Sequence, residues 1–153
     1  LAPTLYEDGA AIRDYVSIED VVDANTLVLE DDRAAGRVFN VGGGKAVTTR
    51  EFADIAMRQY GSDRPGMVTG EYRFGDTRHI LSDISALQAL GWTPRNTPAE
   101  SVAAYAVWLE DMPGLDGVLA EANERMRALG VGRRAEPRRR SSWRPELAAA
   151  CGR

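Results

Sequence analysis

Two polar segments, residues 8–22 and 70–85, contain the side chains whose types could do chemistry. Their cationic and titratable candidates are Arg13, Asp14, Arg73, Asp76, Arg78 and His79. A guanidinium group is a planar fork that binds anionic oxygens in pairs, so arginines are candidates for anion recognition. Judged from residue types alone, an ion pair with Asp14 explains Arg13 better than a ligand does. Exposure to solvent likewise explains the two arginines of the second segment.

Nucleophilic and metal chemistry have little support in this sequence. His79 is the single histidine and Cys151 the single cysteine. One of each excludes, within this sequence, a two-histidine metal site, a cysteine-cluster zinc site and an internal disulfide. Catalysis by a Ser-His-Asp triad would have to recruit His79, and no nucleophile elbow accompanies it. We therefore predict no metal site and disfavour such a triad.

A triple glycine, Gly42–Gly44, precedes Lys45 and resembles a phosphate-binding loop only superficially. The phosphate-loop motif would need glycine where Phe39 stands and Ser or Thr where Ala46 stands. The dinucleotide fingerprint would need a third glycine where Val47 stands. The favoured interpretation is a tight exit from a strand that uses positive backbone angles. A direct phosphate role for this loop is the less favoured alternative.

Alternating apolar patterns indicate the elements that must position these segments. Strands are predicted over residues 11–18, 37–41 and 67–69, and helices over 19–32, 48–60, 84–90, 97–111 and 115–129. Capping boxes mark two helix starts, Thr48 with Glu51 and Thr97 with Glu100. Structural roles are predicted for three carboxylates: the strand-end hydrogen-bonder Asp14 and the helix caps Asp20 and Asp83. Strands that alternate with helices predict an α/β fold with few short strands and several helices.

The charge is divided unevenly along the 153 residues. Residues 1–129 carry 12 Lys/Arg against 21 Asp/Glu, a net of −9, whereas residues 130–153 carry 7 Arg against 2 Glu, a net of +5. An acidic body argues against a specific nucleic-acid partner. The Arg-rich composition of residues 130–153 predicts a disordered tail. Because no apolar run reaches about 20 residues and no signal peptide is visible, we expect a cytoplasmic protein without a membrane partner.

Several short motifs in a fixed order carry a resemblance to a known family. They are Asp8-Gly9, Arg13-Asp14-Tyr15-Val16, Asp20-Val21-Val22, Phe39-Asn40-Val41-Gly42, residues 70–79, Ser82-Asp83-Ile84-Ser85 and Leu90-Gly91-Trp92-Thr93-Pro94. Together they resemble the C-terminal part of the extended short-chain dehydrogenase/reductases that are NAD-dependent nucleotide-sugar epimerases and dehydratases. The resemblance covers about residues 3–112 and implies the C-terminal portion of a Rossmann-type protein.

The resemblance assigns roles to individual residues of the two segments. It implies that Arg13 and Arg73 bind the diphosphate of a nucleotide sugar, and that Asp76 lies near the nucleotide ribose. Guanidinium forks suit the oxygens of a diphosphate better than an ammonium group does. Arg78 and His79 lie beside the same loop. The two residues are expected to contact the diphosphate or sugar, or else to pair with Asp76 or Asp83.

The catalytic parts of such enzymes do not occur in this sequence. The resemblance implies a bound NAD that takes a hydride from the hexose, a tyrosine base and a lysine four residues after it. Lys45 is the only lysine, and Val41 stands four residues before it. We therefore expect the C-terminal, substrate-binding part of a longer enzyme. This part is expected to be inactive alone, with NAD bound mainly by the other part.

Three regions are predicted: the nucleotide-sugar-binding part at 1–112, an additional amphipathic helix at 113–129, and the basic tail at 130–153. A 4-epimerase is favoured, with a 4,6-dehydratase or reductase of the same family as the alternative. A non-catalytic interaction module that uses the basic tail, and a tail that is not native sequence, are further hypotheses. Family members are usually homodimers, but the helices that commonly pair lie outside this chain, so no dimer is predicted for it.

Overall fold

The computed structural model describes residues 2–114 and 117–134, over which the chain forms short strands and five α-helices. The strands are β1 (Thr4–Leu5), β2 (Ile12–Arg13), β3 (Val47–Thr48), β4 (Met67–Val68), β5 (Glu71–Arg73) and β6 (Gly132–Arg134). The helices are α1 (Ile18–Glu30), α2 (Thr49–Gln59), α3 (Ser85–Gln88), α4 (Pro98–Glu110) and α5 (Val118–Ala128). The predicted α/β class, with few short strands and several helices, is confirmed.

The strands of the described residues pair only two by two. β1 runs parallel to β4, β2 runs antiparallel to β3, and β5 runs antiparallel to β6. In each pair the partners come from distant parts of the chain. Strands of two or three residues supply few ladder hydrogen bonds, so side-chain contacts and loop hydrogen bonds must hold the segments together.

The two predicted capping boxes begin α2 and α4. The Thr48 hydroxyl accepts a hydrogen bond from the Glu51 amide, and the Glu51 carboxylate accepts one from the Thr48 amide at 2.7 Å. Thr97 and Glu100 exchange the same pair of bonds at the start of α4. These backbone donors favour the ionised carboxylates and lower the pKa of both glutamates. Each box satisfies amides that a helix start otherwise leaves without partners.

Asp20 has a different structural role from the predicted cap. Ser17 caps α1 by accepting from the Glu19 amide, while Asp20 is only 1% exposed. Its two carboxylate oxygens accept hydrogen bonds from the amides of Arg95 and Asn96, at 2.9 and 3.0 Å. A buried carboxylate requires such donors. Asp20 therefore joins α1 to the loop that leads into α4.

The buried core lies between α1 and the segment around α3. Its members are Ala24, Ala34, Ile84, Leu87, Leu90 and Trp92, with Leu27, Val28, Phe39 and Val41 packed against it. Leu87 is completely buried. The second polar segment leads directly into α3, so packing of Ile84 and Leu87 in this core positions the end of that segment.

Two predicted strands differ from the structure. Residues 11–18 form only β2 before α1 begins, and residues 37–41 run outside any strand. The side chain of Val38 is 93% exposed, although Phe39 and Val41 pack on the core. Among the described residues no strand is hydrogen-bonded to this segment. Its apolar residues therefore reflect packing of side chains on the core and not pairing in a sheet.

The start of the predicted tail is also folded. Gly132–Arg134 form β6, because their backbone groups find partners along β5. Three residues of the predicted tail therefore belong to a strand, and residues 135–153 lie outside the described part of the chain. No helix within the described ranges is long and apolar enough to cross a membrane.

Candidate functional site

A cavity of about 170 Å³ lies among β1, β2 and β5. Its walls are formed by Thr4, Leu5, Tyr6, Glu7, Ala11, Arg13, Thr49, Arg73 and Asp76. Arg13, Arg73 and Asp76 thus come together from segments separated by about sixty residues of sequence. Pockets that enclose a whole drug-sized ligand measure roughly 300–1,000 Å³. This cavity suits one charged part of a larger molecule.

Arg13 is held in the cavity wall by the backbone. Its Nη1 donates hydrogen bonds to the carbonyls of Ile12, at 2.9 Å, and Arg78, at 2.8 Å. Its Nη2 lies 3.3 Å from Oδ2 of Asp76, and the arginine side chain is 24% exposed. The predicted alternative of an ion pair with Asp14 is not what the structure has. Within the described residues, Nε–H and one Nη2 hydrogen remain without an acceptor, so the guanidinium still has two donors for an anion.

Arg73 lies at the end of β5, with its guanidinium among soft, uncharged groups. Its Nη2 is 3.6 Å from Sδ of Met126, and the guanidinium carbon lies 5.9 Å from the ring centroid of Tyr6. Among the described residues no carboxylate lies within ion-pair distance of it. A cation whose charge is not balanced by a neighbouring carboxylate favours binding of an anion.

Arg78 does not line the cavity and pairs with two acids, Glu7 and Asp8, where the first segment begins. It bonds to the carboxylate of Glu7, and its Nη2 lies 2.6 Å from Oδ2 of Asp8. The Arg78 guanidinium lowers the pKa of Asp8, and the same hydrogen bond raises the pKa of Arg78. Neither Asp76 nor Asp83 is its partner, so that part of the sequence prediction is wrong. Arg78 ties the two polar segments together.

His79 is also hydrogen-bonded to the backbone. Its Nδ1 accepts a hydrogen bond from the Ile12 amide at 3.3 Å, and the Ile80 amide donates to the Ile12 carbonyl at 3.1 Å. These contacts place His79 beside β2 and outside the residues that line the cavity. The imidazole therefore fixes the strand that carries Arg13.

Comparison with known proteins identifies the family. Residues 2–42 match the model of the NAD dependent epimerase/dehydratase family. A dTDP-L-rhamnose 4-epimerase of Burkholderia thailandensis is 38% identical over 69% of this chain and 29% of its own length. The chain belongs to the NAD-dependent epimerase/dehydratase family. A dTDP-glucose 4,6-dehydratase of Streptomyces griseus is 31% identical over 68% of this chain and 32% of that protein.

A solved structure in the family has the same arrangement of elements. The crystal structure of UDP-glucose 4-epimerase with UDP-glucose from Thermotoga maritima superposes with a TM-score of 0.64 and 28% identity, over 71% of this chain and 35% of that one. The resemblance to Rossmann-type epimerases stated from the motifs is thus confirmed. The chain spans about a third of the length of these family members.

The NAD of the family does not fit the triple-glycine loop. The Gly43 amide donates at 2.7 Å to the carboxylate of Asp14, which also accepts from Ser82. A Cβ on Gly42 would lie 2.0 Å from Asp14 Oδ2, and one on Gly43 would lie 2.0 Å from the carbonyl oxygen of Tyr15. The loop is closed against the protein, so it cannot cradle a pyrophosphate. Of its three glycines only Gly44 has a positive φ. Gly42 and Gly43 are needed because the backbone there lies too close to Asp14 and Tyr15 to leave room for a Cβ.

Sequence reasoning missed four polar residues of the cavity wall: Thr4, Tyr6, Glu7 and Thr49. Glu7 has a φ of +55°, a conformation that few non-glycine residues adopt, and its amide donates to the Glu71 carbonyl at 2.6 Å. Such backbone geometry marks positions that the surrounding structure fixes. The run Glu7-Asp8-Gly9 is typical of a turn and predicts a change of chain direction, but it carries no information about a distant partner.

Proposed function

We propose that this chain is the C-terminal, substrate-binding part of an NAD-dependent nucleotide-sugar epimerase. Within it, Arg13 and Arg73 bind the substrate diphosphate and Asp76 accepts from the ribose hydroxyls. The observation that carries the proposal is the meeting of these three residues around one small cavity, from two separate segments. We favour a 4-epimerase because the Burkholderia and Thermotoga relatives carry that name. We also propose a cytoplasmic location.

The donors available in the cavity are sufficient for useful affinity. A net hydrogen bond to a charged group is worth roughly 1.5–3 kcal/mol. Arg13 offers two donors that no described residue uses, and the guanidinium of Arg73 has no carboxylate partner within the described chain. Four such bonds would reach the ~8 kcal/mol of a micromolar dissociation constant. The two arginines therefore offer the diphosphate enough donors for affinity in the micromolar range.

Cofactor and catalytic chemistry are assigned to the remainder of the parent enzyme. NAD supplies the transient hydride acceptor in family members, and the residues described here bind and orient the other substrate. We expect the purified 153-residue chain to show no NAD-dependent turnover of dTDP- or UDP-hexoses. Turnover by this chain would contradict the proposal.

Binding can be tested by titrating the full chain with dTDP, UDP and inorganic pyrophosphate in a calorimeter. Arg13→Ala and Arg73→Ala should each weaken nucleoside diphosphate binding at least about tenfold, because each removes one or more charge-assisted bonds. Arg37→Ala removes the same charge at a residue outside the cavity and should leave the affinity unchanged. Equal affinity in all three variants, or no binding by the native chain, would contradict the diphosphate role.

Asp76→Asn separates the two parts of the proposed ligand. The change weakens the ion pair with Arg13, so pyrophosphate affinity should stay the same or rise. Nucleoside diphosphate affinity should fall, because an amide that replaces the carboxylate loses a charged acceptor for the ribose hydroxyls. Parallel changes in both affinities would contradict the ribose assignment.

A dehydratase is the second candidate function, and the Streptomyces griseus relative favours it. Both activities would use the same diphosphate contacts, so assay of the parent enzyme for epimerised or dehydrated product distinguishes them. The interaction module remains the alternative of another class. Deletion of residues 135–153 should abolish binding to heparin or DNA if that module exists, and should leave dTDP binding unchanged under our proposal.

A further inference from the structure

The segment 117–134 folds back onto the loop that carries Arg73. β6 pairs antiparallel with β5, and the register places Arg134 opposite Glu71, Arg133 opposite Tyr72, and Gly132 opposite Arg73. One more backbone bond extends this pairing. The Phe74 amide donates to the Val131 carbonyl at 2.8 Å. Within the described chain β5 has no other strand partner, so its ladder depends on this segment.

Side chains reinforce the short ladder on one side. The guanidinium carbon of Arg133 lies 3.8 Å from the ring centroid of Phe74. A cation over an aromatic ring at this distance is worth roughly 0.5–1 kcal/mol at an exposed site. Because two short strands are marginally stable by themselves, such a contact can decide whether the pair stays formed. Arg133 thereby acts on the residue directly after Arg73.

Helix α5 contacts Arg73 itself. The Sδ of Met126 lies 3.6 Å from Arg73 Nη2. The Val131 amide donates to the Met126 carbonyl, and Gly130 adopts a φ of +64° between α5 and β6. A left-handed glycine and this bond form a compact helix end. Helix, turn and strand therefore form one unit that contacts both the backbone and the side chain of the Arg73 loop.

We infer that residues 117–134 are a positioning clamp for the diphosphate site, with Arg133 and Met126 as positioning residues that hold Arg73 toward the cavity. This inference rests on the proposed function for its ligand. Neither residue lines the cavity, so each acts through Arg73 and Phe74. The clamp should lower the cost of ordering Arg73 when an anion binds, since a side chain already held in place loses less conformational freedom.

The clamp can be tested without any ligand by amide hydrogen exchange on the full 153-residue chain. Arg133→Ala should speed exchange of the Phe74 amide about two- to fivefold, because that amide bonds only across the β5–β6 pair. Arg133→Lys, which keeps a cation over the ring, should restore much of the protection. Arg127→Ala removes the same charge from α5 and should leave exchange unchanged. Unchanged exchange in Arg133→Ala would overturn the clamp.

Calorimetric titration with dTDP and with pyrophosphate then tests the positioning role. Arg133→Ala and Met126→Ala should raise the dissociation constants about two- to fivefold, and Arg127→Ala should not. Urea unfolding of all three variants measures whether the weaker binding merely reflects a less stable fold. The positioning role requires weaker binding at a free energy of unfolding that matches Arg127→Ala.

The outcomes separate this inference from the proposed function. Faster Phe74 exchange with unchanged dTDP affinity would overturn the positioning role alone. A native chain that binds neither dTDP nor pyrophosphate would refute the proposed function and the positioning role together. In that case the exchange of Phe74 in Arg133→Ala would still decide whether residues 117–134 hold the loop.

Discussion

Replacement of Asp20 by alanine should destabilise the fold strongly, although Asp20 lies outside the candidate site. The carboxylate is 1% exposed and accepts two backbone hydrogen bonds, from the amides of Arg95 and Asn96. Each bond to a charged group contributes roughly 1.5–3 kcal/mol, and its loss leaves a donor without a partner. We therefore expect Asp20→Ala to lower the free energy of unfolding by about 3–6 kcal/mol. That is a large part of the ~5–15 kcal/mol of a typical domain.

The assay is urea unfolding followed by tryptophan fluorescence, for which the buried Trp92 is a suitable reporter. Asp23→Ala is the matched control on the same helix. Asp23 forms an ion pair with the side chain of Arg95; the Arg95 side chain is 72% exposed and that of Asp23 is 41% exposed. Such a pair is worth at most about 1 kcal/mol. If Asp20→Ala costs no more than Asp23→Ala, the assignment of Asp20 as the buried link between α1 and the α4 loop is refuted.

Three further predictions concern the loops and caps around the site. Gly43→Ala should lower the free energy of unfolding by about 3 kcal/mol or more. The added Cβ would lie 2.0 Å from the Tyr15 carbonyl oxygen, and a backbone atom cannot move aside as a flexible side chain can. The ion pair of Asp8 with Arg78 should stabilise the native protein near neutral pH, and this contribution should disappear as the pH falls through the lowered pKa of Asp8, below its usual 3.8. The difference in free energy of unfolding between the native chain and Asp8→Asn should therefore be present at pH 7 and shrink as the pH falls below 3.8. Thr97→Ala should lose about 1 kcal/mol through its capping box, measured by urea unfolding followed by circular dichroism.

Each of these predictions has a control and a result that would contradict it. Gly132→Ala places a Cβ in open space at an ordinary φ, so a cost equal to that of Gly43→Ala would contradict the close-approach argument. A difference between the native chain and Asp8→Asn that does not decrease as the pH falls below 3.8, or is absent at pH 7, would exclude the ion pair as a stabilising contact. Thr26→Ala alters a hydroxyl inside α1 and should cost less than loss of the Thr97 cap.

Local signals in the sequence predicted the helices well. Thr48 with Glu51 and Thr97 with Glu100 occur at a spacing that closes two hydrogen bonds within four residues, so the pattern fixes both the start and the geometry of each helix. The strands were harder to predict because pairing depends on distant segments. The apolar run at 37–41 has the composition of a buried strand, yet nothing within it reports whether a neighbouring strand is present.

Three of the five predicted site residues line one cavity, and their contacts with a substrate stay a prediction. Motif resemblance selected Arg13, Arg73 and Asp76, and the structure brings them to one cavity. The partners of Arg78 could not be read from the sequence, because Glu7 and Asp8 lie about seventy positions away. Several nearer carboxylates were equally plausible by charge alone. Long-range pairing is decided by how the two polar segments pack, and composition does not encode it.

The Asp14 carboxylate has a consequence for how the chain folds. It accepts hydrogen bonds from the amides of Gly43 and Ser82, which stand 29 and 68 positions away along the sequence. Forming each bond closes a loop of the chain, and the entropic cost of the longer loop is higher by about 0.8 kcal/mol for an ideal flexible chain. The nearer glycine loop should dock first and restrict the chain before the more distant segment arrives. Helices α2 and α4, with their local caps, can form before either closure. The time needed for folding should therefore be set by the meeting of the two polar segments, so that the arrangement of the cavity wall is among the last features of the native state to form.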